Sequence, residues 1–308
     1  MPIISARAQL AAEIEAVEGA AEVLAAADCV LVENPVFKPV TPPIERKPVS
    51  SSLSPYASVA GHRHATIEFD AELKGSGTAG NAIELTDILR ACGWAETLVG
   101  GVSATYLPAS SSIPCVTMAI YEDGLKKMIW GARGTFKLSC LSDNYCKFHF
   151  IFTGADYSIT DVALLGGLAL QSTKPPAFIN ASMTVHTYAA LLGKLEFDLG
   201  NTMALRKDAN SASGYKSVVI TGRKPKLTFD PEHVLVATHD WYGRLRSGTE
   251  AALTATVGAT AGNICTITAP KVQYQEITEE DREGVRTLGI SCQLNRNSGD
   301  DELSLAYT

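Results

Sequence analysis

The sequence predicts a mainly β protein that consists of two similar antiparallel β-domains. Three observations lead to this prediction: runs in which polar and apolar residues alternate, glycine-bearing turns between such runs, and a second half that repeats the order of elements of the first. The chain has 308 residues, of which 46% are hydrophobic, so it can form two domains of roughly 150 residues each. We place these domains at residues 1–175 and 176–308, with the junction near Pro175.

The N-terminal segment predicts a short helix followed by a strand. Leu10, Ile14 and Val17 recur at helical spacing in a stretch rich in alanine and glutamate, and Gly19 ends the pattern. The apolar run at residues 29–32 then has the length and composition of a strand. We therefore expect a helix to flank the first β-domain.

Residues 34–61 form a proline-rich segment. They contain six of the chain's 14 prolines, together with three consecutive serines at 50–52. Because proline lacks the backbone N–H that a helix or a central strand needs, we expect a long extended loop here. Long loops in compact proteins are usually functional or mobile, so this loop is a candidate contact surface.

Strands and one helix are predicted in the rest of the first domain. Residues 66–73 alternate between polar and apolar side chains, and residues 84–92 predict a short helix that ends at Gly93. Two hairpins follow: the first has its turn at residues 122–124, and the second spans residues 135–152. Alternation places these side chains on the inner face of the second hairpin: Phe136, Leu138, Cys140, Cys146, Phe148, Phe150 and Phe152.

After a linker at residues 153–176, the second half repeats this order of elements. The matching elements are strands at 194–199 and 226–231, a short helix at 239–245, a hairpin at 253–267 and a strand at 288–294. The identity between the halves is weak, but the order holds over about seven elements. Chance similarity between two antiparallel β-domains is the alternative explanation.

The composition argues against several classes of function. The formal net charge is −7, and a mild acidic excess opposes tight binding of phosphates. The basic cluster at residues 223–226 is short and isolated. No apolar run reaches the roughly 18 residues of a membrane span, and Glu13, Glu15 and Glu18 do not fit a signal peptide. We therefore expect neither a membrane protein nor a nucleic-acid-binding module.

Two motifs resemble ligand sites but lack the context that such sites need. Gly75, Gly77 and Gly80 have the spacing of a dinucleotide-binding loop, yet no βαβ unit follows them. His62 and His64 have no further ligands at metal-binding spacing, so a solvated strand edge is their expected setting. We expect no cofactor and no metal.

The acidic residues and the cysteines also predict structural roles. Asp70, Glu72, Glu84 and Asp87 do not single out a catalytic pair, and the acidic run at residues 276–283 is expected to be an exposed loop. The seven cysteines show no CxxC spacing, so we expect buried thiols in a reducing compartment. The chain is therefore not expected to be an enzyme, and no residue is assigned a catalytic, cofactor-binding or metal-binding role.

Several short segments between Ala6 and about residue 160 occur in an order that is specific as a set. The most telling are ILRACGWAE at residues 88–96 and YLP at residues 106–108. The others lie at residues 9–15, 27–35, 61–69, 72–80, 121–124, 131–135 and 152–154. In this order the first half resembles the tail tube (major tail) proteins of long-tailed bacteriophages, whereas residues from about 180 onward match less distinctly.

The resemblance implies a structural virion protein with a β-sandwich or barrel protomer and a flanking helix. Copies would form rings, and stacked rings would form the tail tube through which the genome leaves the capsid. Two tube domains per chain imply homotrimeric, pseudo-hexameric rings, whereas one tube domain with a decoration implies homohexameric rings. The implied partners are the tape measure, terminator and distal tail proteins. Genomic DNA passes through the lumen without specific binding, no membrane is involved, and the implied location is the virion tail, after synthesis in the bacterial host cytoplasm.

The residue patterns agree with this role. Free edges of paired hairpins can join between copies, and the proline-rich loop suits contact with a neighbour because prolines reduce the entropy lost on docking. A mildly acidic lumen would not retain DNA, because like charges repel. Lys137, Lys147 and His149 share a polar face that is either lumen or exterior.

Two alternatives stay open at this point. The first is another tail component on the same domain, such as a tail terminator or the inner tube of a contractile system, and copy number in the virion distinguishes a terminator from a tube. The second is a β-sandwich enzyme or carbohydrate-binding module, which would need acids clustered with Trp94, Trp130 or Trp241. The sequence shows no such cluster.

Overall fold

The computed structural model describes Ile4 and residues 6–308, and antiparallel strands account for most of these residues. In the first half, residues 6–175, the elements are β1 (Ala8–Ile14), β2 (Cys29–Val30), β3 (Glu33–Val40), β4 (Pro43–Ile44), β5 (Val59–Ala60), β6 (His64–Glu72), α1 (Thr86–Ala91), β7 (Trp94–Val99), β8 (Ser103–Pro108), β9 (Val116–Glu122), β10 (Leu125–Leu141), β11 (Lys147–Gly154) and β12 (Asp156–Asp161). In the second half, residues 176–308, they are β13 (Thr184–Val185), β14 (Leu192–Asp198), β15 (Asn201–Lys207), β16 (Tyr215–Arg223), β17 (Lys226–Pro231), α2 (Trp241–Ser247), β18 (Glu250–Val257), β19 (Cys265–Arg282), β20 (Val285–Leu294) and β21 (Ser304–Tyr307). The predicted mainly β, antiparallel fold class is confirmed.

Eight strands form one continuous antiparallel sheet that runs through both halves. Their order is β3, β6, β11, β10, β14, β17, β20 and β19. The two long strands, β10 and β19, also pair with a second set of strands. At its N-terminal end β10 pairs with β9 and β12, and β19 pairs there with β18 and β21. The long strands therefore connect the continuous sheet to the strands that cover it.

The core is built from the alternating side chains of these strands. Phe136 of β10 lies opposite Phe150 of β11, which in turn lies opposite Phe69 of β6. The ring centroids of Phe69 and Phe150 are 5.3 Å apart, and those of Phe136 and Phe150 are 5.6 Å apart. All seven residues predicted for the inner face of the second hairpin are buried. That prediction is confirmed, because a period of two residues places every second side chain in the core.

The strands of the two halves pair in the same order. In the first half β3, β6, β11 and β10 are neighbours, and in the second half β14, β17, β20 and β19 are neighbours. Each half also has one α-helix between its second sheet strand and the following hairpin. From β3 to β6 the residues correspond to those from β14 to β17 with a constant shift of 160 positions, so that Phe69 corresponds to Phe229.

Both predicted helices are present, and glycine ends each of them. Gly93 follows α1 with a φ of 83°, and Gly248 follows α2 with a φ of 64°. Glycine occupies this left-handed region without the steric cost that a Cβ atom imposes. At the start of α2, the Asp240 carboxylate accepts a hydrogen bond of 2.7 Å from the Gly243 N–H.

The predicted N-terminal helix is wrong, because residues 8–14 form strand β1. This strand pairs with β9 along its whole length and with β2 at Leu10 and Ala11. Leu10, Ala11 and Ala12 are buried one after another, which suits a strand that is covered on both faces. Strand pairing and burial therefore override the helical spacing of three apolar residues, and α1 and α2 are the helices that flank the sheets.

The predicted loop at residues 34–61 is shorter than expected. Residues 33–40 form strand β3, in spite of Pro35 and Pro39. Among the described residues β3 pairs with β6 alone, and prolines are compatible with an edge strand because one side of it needs no N–H donors. The acidic run at 276–283 is also not a loop, since residues up to Arg282 belong to β19 and pair with β20.

The cysteines differ in part from the prediction. Cys140 and Cys146 are joined by a disulfide bond with Cα atoms 4.2 Å apart, although buried thiols were expected throughout. The other five cysteines are free and buried. Burial raises the pKa of Cys115 and of Cys265 to about 12 because the thiolate loses its hydration. The free cysteines therefore contribute apolar packing.

Candidate functional site

One face of the eight-stranded sheet packs on the core, and the opposite face is polar. In one row across it, Asp70, His149, Lys137 and Asp198 lie directly opposite one another on four neighbouring strands. The Asp70 Oδ1 and His149 Nδ1 atoms are 2.7 Å apart, and the Lys137 Nζ and Asp198 Oδ2 atoms are 3.1 Å apart. These pairs are part-exposed, so each contributes little to stability. Their main consequence is that the face is covered with charges of both signs.

The polar face carries more acidic than basic side chains. Its acidic residues are Glu33, Glu68, Asp70, Glu72, Glu196, Asp198, Asp230, Glu276 and Glu280, and its basic residues are Lys38, Lys137, Lys147, Lys194, Lys226 and Arg282. Several of them neutralise each other locally. For example, hydrogen bonds from Lys147 and Tyr145 hold the pKa of Glu33 below its usual range. The face is thus mildly acidic, and the strands that the structure describes form no basic track on it that would bind phosphates.

Two edges of the sheet have no partner strand among the described residues. One is the outer edge of β3, at residues 33–40. The other is the outer edge of β19 beyond Gln273, where β18 ends and only β20 continues to pair. The side chains of residues 278–281 are all exposed. Unpaired N–H and C=O groups along an edge are a template for pairing with another strand.

The two halves meet where β10 pairs with β14. Five residue pairs form this junction, from Lys137 opposite Asp198 to Leu141 opposite Lys194. Leu138 and Phe197 form one of these pairs, and both are fully buried. We call β3, β6, β11 and β10 the first quartet of the sheet, and β14, β17, β20 and β19 the second quartet. β10 is the last strand of the first quartet and β14 is the first strand of the second. Their counterparts on the outside of the sheet are β19 and β3, which are the strands with open edges.

Each half also carries a hairpin between its first and second sheet strands. We call residues 41–63 the first arm and residues 201–223 the second arm. The pairs Pro43–Ala60 and Ile44–Val59 of the first arm correspond to Met203–Ile220 and Ala204–Val219 of the second, again with a shift of 160. The two arms therefore have the same length and the same register at their bases.

A repeated ion pair anchors the end of each arm. In the first arm, Arg63 Nε donates to Asp156 Oδ1 at 2.7 Å and Arg63 Nη2 donates to Asp156 Oδ2 at 3.2 Å. In the second arm, Arg223 Nε donates to Glu302, and Arg223 Nη2 donates to Asp300 Oδ1 at 3.0 Å. The bond to Asp156 raises the pKa of Arg63. Arg223 belongs to the basic cluster at residues 223–226, but no sequence motif connected it with Arg63. Extending the match between residues 66–70 and 226–230 backwards would have aligned the two arginines.

The second arm packs on the first half of its own chain. Ser217 and Val218 are fully buried there. Arg133 of β10 donates to the Val218 carbonyl, and the Ser217 hydroxyl donates to Glu18 Oε1 at 2.8 Å. Hydrogen bonds from Ser217 and the charge of Arg133 lower the pKa of Glu18 in spite of its partial burial. Polar and apolar contacts together thus fix the second arm.

The first arm has no comparable contacts within the described chain. Residues 41–60 are all exposed, and the side chains of Val49 and Leu53 are fully so. At the base of this arm, the Gly61 N–H donates to the Pro42 carbonyl at 3.2 Å. Thr41 Oγ1 lies 3.2 Å from the hydroxyl oxygen of Tyr157. Two arms of equal length therefore differ: the second is packed on its own chain through the buried Ser213, Ser217 and Val218, whereas the first is exposed from residue 41 to residue 60.

The residues that resembled ligand sites have structural roles. The rings of His62 and His64 lie 5.1 Å and 6.0 Å from the ring of Tyr215 in the second arm. Gly75 and Gly77 pack on the β18–β19 turn, where the Gly77 N–H donates to the Gly262 carbonyl at 3.0 Å. Gly80 lies against the backbone of the β7–β8 turn.

The four candidate acids are dispersed among separate polar contacts. Glu72 and Glu84 both lie near the buried Lys74, whereas Asp70 pairs with His149 and Asp87 with Arg90. Across the part of the chain that the structure describes, no three acidic, histidine or cysteine side chains are placed to hold a metal ion. Neither helix of the described chain has the length and apolar content to cross a membrane.

Comparison with known families identifies the protein class. A family model described as phage tail tube protein matches residues 5–290. The chain belongs to the phage tail tube proteins. The match includes most of the second half, where the resemblance was less distinct, so one family model spans both quartets of the sheet. No curated protein matches this tail tube protein at a significant level.

Proposed function

We propose that this tail tube protein assembles into rings that stack to form the tail tube, the conduit for genome ejection. The observation that carries the proposal is the pairing of β10 with β14 inside the chain, together with the open edges of their counterparts β19 and β3. If β19 of one copy pairs with β3 of the next, the contact between chains repeats the contact within each chain. A head-to-tail contact of this kind closes into a ring when the rotation between neighbouring copies divides a full turn evenly.

We propose three chains for each ring. Eight sheet strands from each of three chains give a barrel of 24 strands. With strands about 4.8 Å apart and tilted by about 40°, such a barrel is roughly 50 Å across at the backbone. Side chains narrow it, yet a DNA duplex about 20 Å wide still passes. Six chains would give a channel about twice as wide, so the repeat favours a trimer of tandem tube domains at residues 1–175 and 176–308.

The polar face of the sheet would line the lumen, because the opposite face packs on the core. Its mixed charges and acidic excess leave DNA hydrated and unbound, so that the duplex can slide. Specific affinity would be a disadvantage in a conduit. The same reasoning leaves no role for catalysis, a cofactor or a metal ion.

The junction inside the chain also predicts the register between chains. Lys137 lies opposite Asp198 in the β10–β14 pair. Their counterparts, Thr278 on β19 and Lys38 on β3, are therefore expected to lie opposite each other between copies. Lys38 would then be diagonal to Glu276 and Glu280, within reach of a long side chain.

The other components of the proposal follow from the family. The protein would be located in the virion tail, after synthesis in the host cytoplasm. Its neighbours in the tail would be further copies of itself and, at the ends and inside the tube, the terminator, distal tail and tape measure proteins.

Electron microscopy of virions and of the purified protein tests the proposal. We expect stacked rings with three chains each, pseudo-sixfold symmetry and a continuous inner barrel. A protein that stays monomeric in solution and is absent from the tail of the virion would overturn it. A small copy number at one end of the tail would instead indicate a terminator.

A further inference from the structure

We propose that the first arm of one copy docks on the second half of the neighbouring copy, at the site that corresponds to the one the second arm occupies within its own chain. This inference rests on the proposed ring. It goes beyond the ring by naming a second contact between copies, away from the strand edges. Its occupant is residues 41–63 of another copy.

The first step is the equivalence of the two arms. They have the same length, the same register at the base and the same anchoring arginine, Arg63 or Arg223. The second arm is long enough to reach across the β10–β14 junction onto the first half. If β3 pairs with a neighbour's β19 as β14 pairs with β10, the first arm projects across that junction in the same way. The only chain within its reach there is the neighbour.

The second step is the equivalence of the two docking surfaces. In the first half, the second arm covers Gly131 and Arg133 on β10 and Gly93 at the end of α1. In the second half the corresponding residues are Lys271 and Gln273 on β19 and Gly248 at the end of α2. The equivalence follows from the strand pairing. Gly134 of β10 lies opposite Phe152 of β11, and at the same position of the second quartet Tyr274 of β19 lies opposite Cys292 of β20. Gly134 therefore corresponds to Tyr274, and counting back along both strands makes residues 131 and 133 correspond to 271 and 273.

The third step is the difference in exposure. Gly93, Gly131 and Arg133 are buried beneath the second arm. Their counterparts Gly248, Lys271 and Gln273 are only partly covered.

An open cleft lies beside these counterparts. It has a volume of about 760 Å³, and its walls include Glu250, Asn295, Arg296 and the anchoring Arg223. The corresponding region of the first half holds the backbone of Lys216 and Ser217. The cleft adjoins Lys271, because the N–H of its wall residue Asn295 donates to the Lys271 carbonyl at 2.8 Å, and it is open to residues of an incoming arm.

The fourth step is the chemistry of the first arm itself. By the shift of 160, Ala57 and Ser58 correspond to the buried Ser217 and Val218, and Leu53 corresponds to the buried Ser213. Small and apolar side chains at these positions fit burial, yet in the single chain they are exposed. Prolines at 48 and 55 restrict the free arm, so less conformational entropy is lost when it docks.

Cysteine cross-linking between copies tests the proposal. Ser217 Cα lies 3.3 Å from the position that a Cβ atom would take on Gly131, so the counterparts Ala57 and Lys271 are expected to be adjacent across the interface. Full-length Ala57→Cys and Lys271→Cys chains are purified separately, mixed, assembled into tubes and oxidised. We expect disulfide-linked dimers from the mixture, at least tenfold more than from either variant alone.

The matched control pairs Ala57→Cys with Glu283→Cys. Position 283 is exposed and directly follows the far end of β19, about 40 Å from Lys271 along the strand direction. Tubes that form normally but give no more dimers with Lys271→Cys than with Glu283→Cys would overturn the docking and leave the proposed tube intact. If the unmodified chain forms no rings and no tubes, the proposed function and the docking both fail.

Replacing residues 46–57 with a short Gly-Ser linker gives an independent readout. Because these residues are exposed, the melting temperature of the single chain is expected to stay the same. We expect the yield of tubes to fall severalfold. Tubes of normal yield and stability without the arm would contradict the proposal.

Discussion

Acid is expected to destabilise the fold through His239. Its ring is buried between Tyr188 and Trp241, with centroids 4.9 Å and 4.2 Å away, and its Nε2 atom has no hydrogen-bond partner among the described residues. Burial, followed by the charge of Arg244 and by His186, lowers the pKa of His239 from 6.5 to about 4. The unfolded chain therefore binds a proton at a higher pH than the folded chain does. The free energy of unfolding therefore decreases as the pH falls from about 6.5 to about 4, and below about pH 4 this group causes no further decrease.

The size of the effect follows from the difference between the pKa of His239 in the unfolded chain and its pKa in the folded chain. A tenfold difference in proton affinity corresponds to about 1.4 kcal/mol, so His239 accounts for a loss of about 3 kcal/mol of unfolding free energy between pH 7 and pH 4. The assay is urea denaturation followed by tryptophan fluorescence at a series of pH values. Carboxyl groups titrate over the same range, so the quantity to compare is the difference between the wild type and His239→Phe.

The control for this experiment is His233→Gln, at an exposed position. His239→Phe should flatten the pH dependence, whereas His233→Gln should leave it unchanged. Equal slopes for the wild type and His239→Phe between pH 6.5 and pH 4 would refute the reasoning. Burial also lowers the pKa of His186. The His239→Phe variant is therefore expected to retain a smaller part of the acid sensitivity.

Three further substitutions test the core, a close contact and the proposed interface. Phe150→Ala should lower the unfolding free energy by about 3–5 kcal/mol in denaturant titrations, because Phe150 is fully buried among other rings; a loss below about 1 kcal/mol would contradict the packing. Gly75→Ala should lower the unfolding free energy by about 1–3 kcal/mol in the same assay, since its Cβ atom would clash with the Gly262 carbonyl oxygen; an unchanged midpoint would refute that contact. Lys38→Glu should weaken ring formation at low salt, as judged by sedimentation, and adding Glu280→Lys should restore it; if the double variant is no better than the single one, the proposed register between copies is wrong.

The local structure of the hairpins could be predicted from the sequence. The turn at Asp123 and Gly124 and the alternating phenylalanines determine which strands pair and which side chains face the core. The same alternation placed Cys140 and Cys146 on the inner face, and the register of Leu138 opposite Phe148 brings them opposite each other. The disulfide was missed because the prediction rested on the absence of CxxC spacing rather than on the register of the hairpin.

Features that depend on distant parts of the chain could not be predicted. Residues 8–14 become a strand because β9 and β2 flank them, and three apolar residues at helical spacing carry no information about those neighbours. The free edges of β3 and β19 are likewise a property of the strand order. The equivalence of the two arms was missed for a related reason. Their residues are not similar along their length, and only the constant shift of 160 positions and the arginines at their ends, Arg63 and Arg223, relate them.

The β10–β14 junction has a consequence for the energetics of the proposed ring. In a ring of three chains, three of the six contacts between tube domains form when each chain folds, because the polypeptide holds the two domains together. Only the other three require separate molecules to meet, and each such encounter costs roughly 4–15 kcal/mol in lost translational and rotational freedom. The linkage therefore replaces half of the bimolecular steps with intramolecular ones at high effective concentration. A ring built this way would close at a lower protein concentration than a ring of six separate domains with the same contacts.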